Sequence, residues 1–249
     1  MIQLLLGIGN IYKKDDDILK DENGKKEKIE LVIFDMDGTM LDTEPLSMAG
    51  WHYAAQTMEI DISAEVFATI FEKMLGTNAA ACKAVLKEHL GENFDTEKGY
   101  DLHLAHIDEH FKLFGVPLKK GLLPLLDKLE KMNIKKCVAT STAKERATHK
   151  LKLANLAHRF EVIIGGDEVS NSKPDPQIFL KAAKACNVAP ENCLVLEDSA
   201  AGTEGGFCAG MRVITIPDML PPSEKTRQQA LMLCNDLLEV ALYLDTQVF

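Results

Sequence analysis

The sequence predicts an α/β protein built on a doubly wound, mostly parallel sheet, with an all-helical unit inserted after the first core strand. Two observations carry this reading. From Gly121 onward, short runs of β-forming residues alternate with helical patterns, an order that calls for right-handed crossovers between parallel strands. Between the first such run and Gly121, from about Pro45 to Gly115, the periodicity stays helical.

Leu31 to Phe34 is the first strand. It is apolar throughout, as a strand buried on both faces should be. Phe67, Ile70, Phe71 and Met74 then share one helical face, and so do Leu104, Ile107, Phe111 and Phe114. Gly76-Thr77-Asn78 and Gly91-Glu92-Asn93 separate these stretches as loops. Residues 45–115 are therefore expected to form a helical insert with a small core of its own.

A helix carrying Leu122, Leu125, Leu126 and Leu129 on one face leads to a strand at Lys136–Thr140. A helix from Ala143, a strand at Val162–Ile164 and a helix from Pro176 to Cys186 follow. Next come a strand at Cys193–Leu196, a helix over Ala200–Ala209 and a strand at Arg212–Ile216. After the break at Pro221-Pro222, a strand near Ala230–Leu233 and a helix over Asp236–Leu244 close the sheet edge. This is a Rossmann-like core of residues 29–44 and 116–249. Residues 1–28, with their charge clusters and an Asn23-Gly24 turn signal, read as an extension ahead of it, mobile or loosely docked.

Composition narrows the function. The chain of 249 residues, 46% hydrophobic and 27% charged, can bury a full core, which sets aside disordered and fibrous classes. A net charge of −10 argues against nucleic acid or anionic membrane as the main partner. No run approaches a membrane span, and the apolar Ile2–Ile8 has no basic residues before it, so a signal peptide is not expected. The six cysteines form no CxxC pair, which fits reduced thiols in a cytoplasmic protein. A monomer or weak homodimer is expected.

In an open α/β sheet, ligands bind at the carboxyl ends of the strands. Here those ends are polar and mutually suited. Asp35 and Asp37 follow the first strand, and such a pair would repel without a cation between them. Thr140 and Ser141 follow the second strand. Lys173, in Lys173-Pro174-Asp175-Pro176, follows the third, and Glu197-Asp198 the fourth. Thr142-Ala143-Lys144-Glu145 reads as a capping box, which would leave a helix N-terminus free for phosphate. Asp175 suits an N-cap with Pro176 as first helical residue, and Ser199 suits another. Glu197 and Asp198 lie where a hard cation would want oxygen ligands. A calcium loop does not fit, since counting from Asp35 puts Gly38 fourth and Leu46 twelfth. The combination points to a magnesium-dependent phosphoryl-transfer site.

Four motifs, DMDGT (35–39), VATST (138–142), SKPDPQIF (172–179) and LEDSAAG (196–202), stand in this order. With them the chain resembles the haloacid dehalogenase-like hydrolase superfamily, in the branch with a helical cap after the first motif. The likeness runs from about Ile29 to Val240. It implies Asp35 as the nucleophile that becomes an aspartyl-phosphate, and Asp37 as the acid and base. It implies phosphate contacts from Thr140, Ser141 and Lys173. It also implies a magnesium ion held by Asp35, the Asp37 carbonyl and Asp198, with Glu197 a further or water-mediated ligand. Because Asp37 is present, phosphoryl transfer is favoured over carbon–halogen cleavage, which needs no proton donor.

The insert, residues 45–115, would be the cap that selects a small phosphorylated metabolite. Patterns similar to this one belong to β-phosphoglucomutase and to sugar-phosphate or nucleotide phosphatases. The mutase pattern has a cap histidine, a cap arginine and a later lysine. Here the histidine position falls at Ser47 and the arginine position near Ala79, and no equivalent lysine is found. A phosphatase is therefore expected, with a mutase or a non-catalytic phosphometabolite-binding protein as alternatives. Ser47, Thr77 and Asn78 are the candidate specificity residues. His103, His106 and His110 are expected on a solvated or cap-edge face rather than around a second metal, and Trp51 in the cap core.

Overall fold

A computed structural model of the chain describes residues 28–92 and 94–246. The expected N-terminal extension therefore lies, except for Lys28, outside the described residues.

The first strand, β1 (Leu31–Phe34), is followed by four helices: α1 (Glu44–Thr57), α2 (Ala64–Met74), α3 (Ala79–Leu90) and α4 (Thr96–Phe114). The chain then alternates through α5 (Leu122–Lys131), β2 (Lys135–Ala139), α6 (Lys144–Leu153), β3 (Ile163–Ile164) and α7 (Gln177–Ala185). It continues with β4 (Cys193–Glu197), α8 (Ala200–Cys208), β5 (Arg212–Thr215), α9 (Glu224–Gln229), β6 (Met232–Leu233) and α10 (Leu237–Thr246). The six strands form one sheet in the order β3-β2-β1-β4-β5-β6. All five pairings are parallel. The expected doubly wound α/β core is present, with β1 between β2 and β4.

Side chains alternate across a strand, so the sheet buries two different faces. Val32, Phe34, Val138, Leu194 and Leu196 face one way, into a cluster with Leu125, Leu126 and Leu129 of α5 and Leu237, Val240 and Leu244 of α10. Leu31, Ile33, Cys137, Val195 and Val213 face the other way, against Ile178, Phe179, Ala182 and Ala183 of α7. Gly206 lets α8 lie close on this second face, since a Cβ there would sit 2.8 Å from Val213. Both faces being covered explains why the strands read as continuous apolar runs.

The helices of the insert have a third cluster, with Trp51, Ala54, Phe67, Ile70, Phe71, Met74 and Leu86. Ser63, Asn78 and Asp95 cap α2, α3 and α4 by accepting backbone N–H bonds, each worth about 1 kcal/mol. The face buried by α4 differs from the expected one. Gly99, His103, Ile107 and Phe111 are buried, whereas Phe114 is 75% exposed. The apolar stripe is thus rotated, and His103 belongs to it. No helix among the described residues is long and apolar enough to cross a membrane.

Candidate active site

The chain turns sharply after β1. Met36 O accepts from both Met40 N and Leu41 N, at 2.9 Å each, and Gly38 N donates to Leu41 O at 2.9 Å. Gly38 has φ +84°, and a Cβ there would fall 2.4 Å from Asp198 Oδ2. Only glycine permits this approach of the first loop to the loop after β4. The turn sets Asp35 and Asp37 side by side at the carboxyl end of β1.

Lys173 is the hub of the buried side. Its Nζ donates to Asp35 Oδ1 at 2.5 Å, to Glu197 Oε1 at 2.6 Å and to the Ala139 carbonyl at 3.2 Å. The other oxygen of Glu197 accepts from Asp198 N at 3.0 Å, Ser199 N at 3.0 Å and Ser199 Oγ at 2.9 Å. Gly202 makes room for that carboxylate, since a Cβ would stand 1.8 Å from its Oε1. Glu197 therefore fixes Lys173 and ties the β4 loop to the start of α8, where Ser199 is the N-cap as expected. Asp198 receives a hydrogen bond from Thr39 Oγ1 at 3.0 Å.

One oxygen each from Asp35, Glu197 and Asp198 lie within 4.8 Å of one another, close enough to hold a metal ion. The electrostatics suit a bound cation. Burial raises the Asp35 carboxyl to about 8; the Lys173 charge pulls it down, and the nearby Glu197 charge pushes it up. Burial, then Glu197 and Asp35, also raises Asp198 well above the usual range. These oxygen donors have too little positive charge among them, which is what a hard divalent ion supplies.

Asp37 sits in the opposite environment. Its Oδ1 accepts from Lys150 Nζ at 2.7 Å and from Thr43 Oγ1 at 2.6 Å, and its Oδ2 from Thr142 Oγ1 at 2.7 Å. Burial alone would raise this carboxyl, but the Lys150 charge and the three hydrogen bonds outweigh it and hold it below the ordinary value. Lys150 and Thr43 escaped the sequence reading, and Thr142 entered it only through the VATST motif and as a capping residue, not as a partner of Asp37. For Lys150 a signal existed: Ala147, Lys150 and Leu151 share the buried face of α6, so this lysine interrupts an apolar stripe.

Two local expectations need correction. Thr142 does not form a capping box. The N-cap of α6 is Ala143, without a side-chain bond, and Lys144 N donates instead to Asp167 Oδ1 at 2.7 Å. The Thr142 hydroxyl is spent on Asp37, and the α6 terminus is already partly neutralised by Asp167. Pro176 is the N-cap of α7 rather than its first residue, although Asp175 Oδ1 still accepts from Gln177 N at 2.9 Å.

Thr140 is buried at the tip of β2 and lines the cavity over Asp35, together with Ser141 and Lys173. The Ser141 hydroxyl points to the insert, donating to Gly76 O at 3.0 Å. The cavity encloses about 130 Å³ and is roofed by the insert. Ser47 and Thr77 line it. Asn78 does not; its side chain caps α3 and donates to Ser172 Oγ at 2.5 Å.

His103 is the second correction on α4. It is 7% exposed, stacks on Trp51 with centroids 4.3 Å apart, bonds Ser47 Oγ through Nε2 at 3.1 Å and lines the cavity. His106 and His110 are half-buried; His106 stacks on Tyr53, and the His110 ring packs tilted against Phe114. Trp51 is buried in the insert core as expected, with an edge on the cavity.

The model of the haloacid dehalogenase-like hydrolase family matches residues 29–210. The chain belongs to this family. A phosphorylated carbohydrates phosphatase from Thermotoga maritima is 32% identical over 188 residues, covering 75% of this chain and 84% of that protein. The fructose-1-phosphate phosphatase of Escherichia coli is 29% identical, covering 74% of this chain and 95% of its own. A β-phosphoglucomutase structure from Clostridium difficile superposes with TM-score 0.70 at 23% identity, over 87% of this chain and 96% of the other, and shares the fold. Within this hydrolase family, the chain is a phosphoric monoester hydrolase, as its motifs led one to expect.

Proposed function

We propose that the chain is a magnesium-dependent phosphatase that hydrolyses a small phosphorylated metabolite, such as a sugar phosphate, through an aspartyl-phosphate on Asp35. The observation that carries this reading is the division of labour between two carboxylates two residues apart. Asp35 faces the acidic cluster and Lys173, while Asp37 is held in a separate, donor-rich environment.

Asp35 and Asp198 would hold the cation with the backbone carbonyl of Asp37. Glu197, whose oxygens already serve Lys173 and the β4 loop, would reach it only through water. When bound, magnesium supplies the positive charge that lets an ionised carboxylate meet an anionic phosphoryl group.

An Asp35 oxygen attacks phosphorus, the ester P–O bond breaks, and the leaving oxygen takes a proton from the Asp37 carboxyl. Water then attacks the phosphorus of the aspartyl-phosphate and gives its proton to Asp37, releasing phosphate and restoring Asp35. Lys173, Thr140 and the backbone around Ser141 would balance charge on the non-bridging oxygens. The arrangement in the structure, with Asp37 ionised against Lys150, Thr43 and Thr142, suits the second half of this cycle, in which Asp37 is a base.

The four-helix insert is read as the cap. It lies over the site, held to the core by the Ser141–Gly76 and Asn78–Ser172 hydrogen bonds and the Arg146–Asp108 pair. Turnover of 4-nitrophenyl phosphate tests the reading. It should require magnesium, stop with chelator and be lost in Asp35→Asn. Undiminished turnover in that variant would sink it.

A further inference from the structure

The cavity over Asp35 has two unlike halves, and the half built by the insert bears no cation. Among the described residues, α1 to α4 contribute no lysine or arginine to its lining. Ala79 stands at the start of α3, and Glu44 adds a carboxyl group. The basic groups all come from the core, and each already has a carboxylate. Lys173 serves Asp35 and Glu197, and Lys150 serves Asp37. Arg146 grips Asp108 with two nitrogens, at 3.0 and 3.3 Å.

His103 does not supply the missing charge. Burial first, then the nearby Arg146 and Lys150 charges, pushes its imidazole down to about 3, so the ring is neutral near pH 7. An anionic group entering this half would lose its hydration and meet no free positive partner, which is strongly unfavourable.

What the insert does offer, beside the Glu44 carboxyl and Thr77, is a largely apolar wall with a polar pair in it. Trp51, Phe71, Met74, Tyr100 and Ile107 contribute to the wall. Set among them is the Ser47–His103 pair. His103 Nε2 is bonded to Ser47, Cδ2 lies on the side of Gly50, and Nδ1 is buried with no partner. Ser47 and His103 both line the cavity, so this pair is within reach of a ligand's hydrogen-bonding group.

We propose that the insert half of the cavity selects phosphate monoesters whose leaving group is uncharged, with an apolar ring or chain face and a hydrogen-bonding group for the Ser47–His103 pair, and that it discriminates against a second phosphate or a carboxylate. This rests on the phosphatase reading above. It also makes a mutase cycle unfavourable on physical grounds, because such a cycle passes through a bisphosphate.

The test is kcat/KM for released phosphate over matched pairs that differ in one anionic group, using the full chain with magnesium. Glycerol 3-phosphate is set against 3-phosphoglycerate, glucose 6-phosphate against 6-phosphogluconate, and fructose 6-phosphate against fructose 1,6-bisphosphate. The neutral member should be preferred by about tenfold or more in each pair. A smaller or reversed preference overturns the inference while leaving a phosphatase in place. Failure to hydrolyse 4-nitrophenyl phosphate at all overturns the phosphatase reading, and the inference falls with it.

Discussion

Lys150 and Asp37 lie 113 residues apart in the chain, yet Lys150 Nζ donates to Asp37 Oδ1 at 2.7 Å, with both side chains largely removed from solvent. The pair joins the middle of α6 to the loop after β1. It sets a lysine against the carboxylate proposed to exchange a proton during turnover, while Asp35 has a lysine of its own.

Replacing Lys150 by Met should therefore act on chemistry and on folding. Without the cation the Asp37 carboxyl titrates higher, so the acid limb of the kcat profile moves to higher pH. Leaving a buried carboxylate with hydroxyl partners alone costs roughly 3 kcal/mol, the low end for breaking a buried pair. A pH–rate profile and a denaturant midpoint, measured on the same preparation, check both. An unmoved acid limb would mean that Lys150 supports the fold only.

Asp37→Asn should separate the two half-reactions. An aryl phosphate has a good leaving group that hardly needs an acid, so the first step survives. The second lacks its base and should slow by about 10²–10⁴. Stopped-flow traces should show a burst of nitrophenol equal to the enzyme concentration, followed by slow release. A linear trace without a burst would count against Asp37 as the base.

Magnesium binding should release protons and stabilise the fold more at high pH. Without metal the Asp35 carboxyl titrates near 8, above the model-peptide range near 4. Its folded-state pKa is raised, so its contribution to stability is complete below about pH 4 and is lost as pH rises toward 8. Magnesium supplies the opposing charge, so the rise in Tm on adding it should grow from pH 6 to pH 8. Calorimetric titration in buffers of different ionisation enthalpy would reveal the released proton.

His103 predicts an acid sensitivity of different origin. Its folded pKa, about 3, lies below the ordinary histidine value of 6.5. Between these values the unfolded chain binds the extra proton, so stability falls as pH drops from 6.5 toward 3. His103→Phe keeps an aromatic ring on Trp51 and removes that titration. The stability difference between the two proteins should therefore shift in favour of the variant as pH falls from 7 to 5. A constant difference would show that the imidazole does not titrate in this way.

Gly202→Ala should be among the most damaging small changes in the chain. The new methyl would stand 1.8 Å from Glu197 Oε1, so the buried Glu197 carboxylate would have to leave its hydrogen bonds to Lys173, Asp198 N and Ser199. Displacing Glu197 would also free Lys173 from one of its two carboxylates. We expect a loss of several kcal/mol in stability, read as a large drop in Tm, with activity lost in parallel.

The core of this fold was legible because its signals are local. A strand buried on both faces reads as an apolar run, and polar residues directly after such runs mark the sheet's ligand-binding edge. Asp35, Glu197 and Asp198 follow that pattern, Lys173 stands further along the loop after β3, and all four converge. Lys150 was missed because a lysine on a charged helix looks solvated, and only its place beside Ala147 and Leu151 betrays its burial. The α4 face was misjudged because Phe114 is apolar and His103 is not, whereas packing against Trp51 and Ser47 favours the histidine. Thr142 had the spacing of a capping box, but the more demanding partner for its hydroxyl, Asp37, comes from the loop after β1.

The most direct measurement is acid quenching of the enzyme during turnover with a phosphate monoester and magnesium, followed by peptide mass spectrometry. The account predicts one phosphoryl group on the peptide that contains Asp35, absent in Asp35→Asn. Turnover with no phosphorylated peptide in the acid-quenched enzyme, or with the phosphoryl group on another residue, would contradict it.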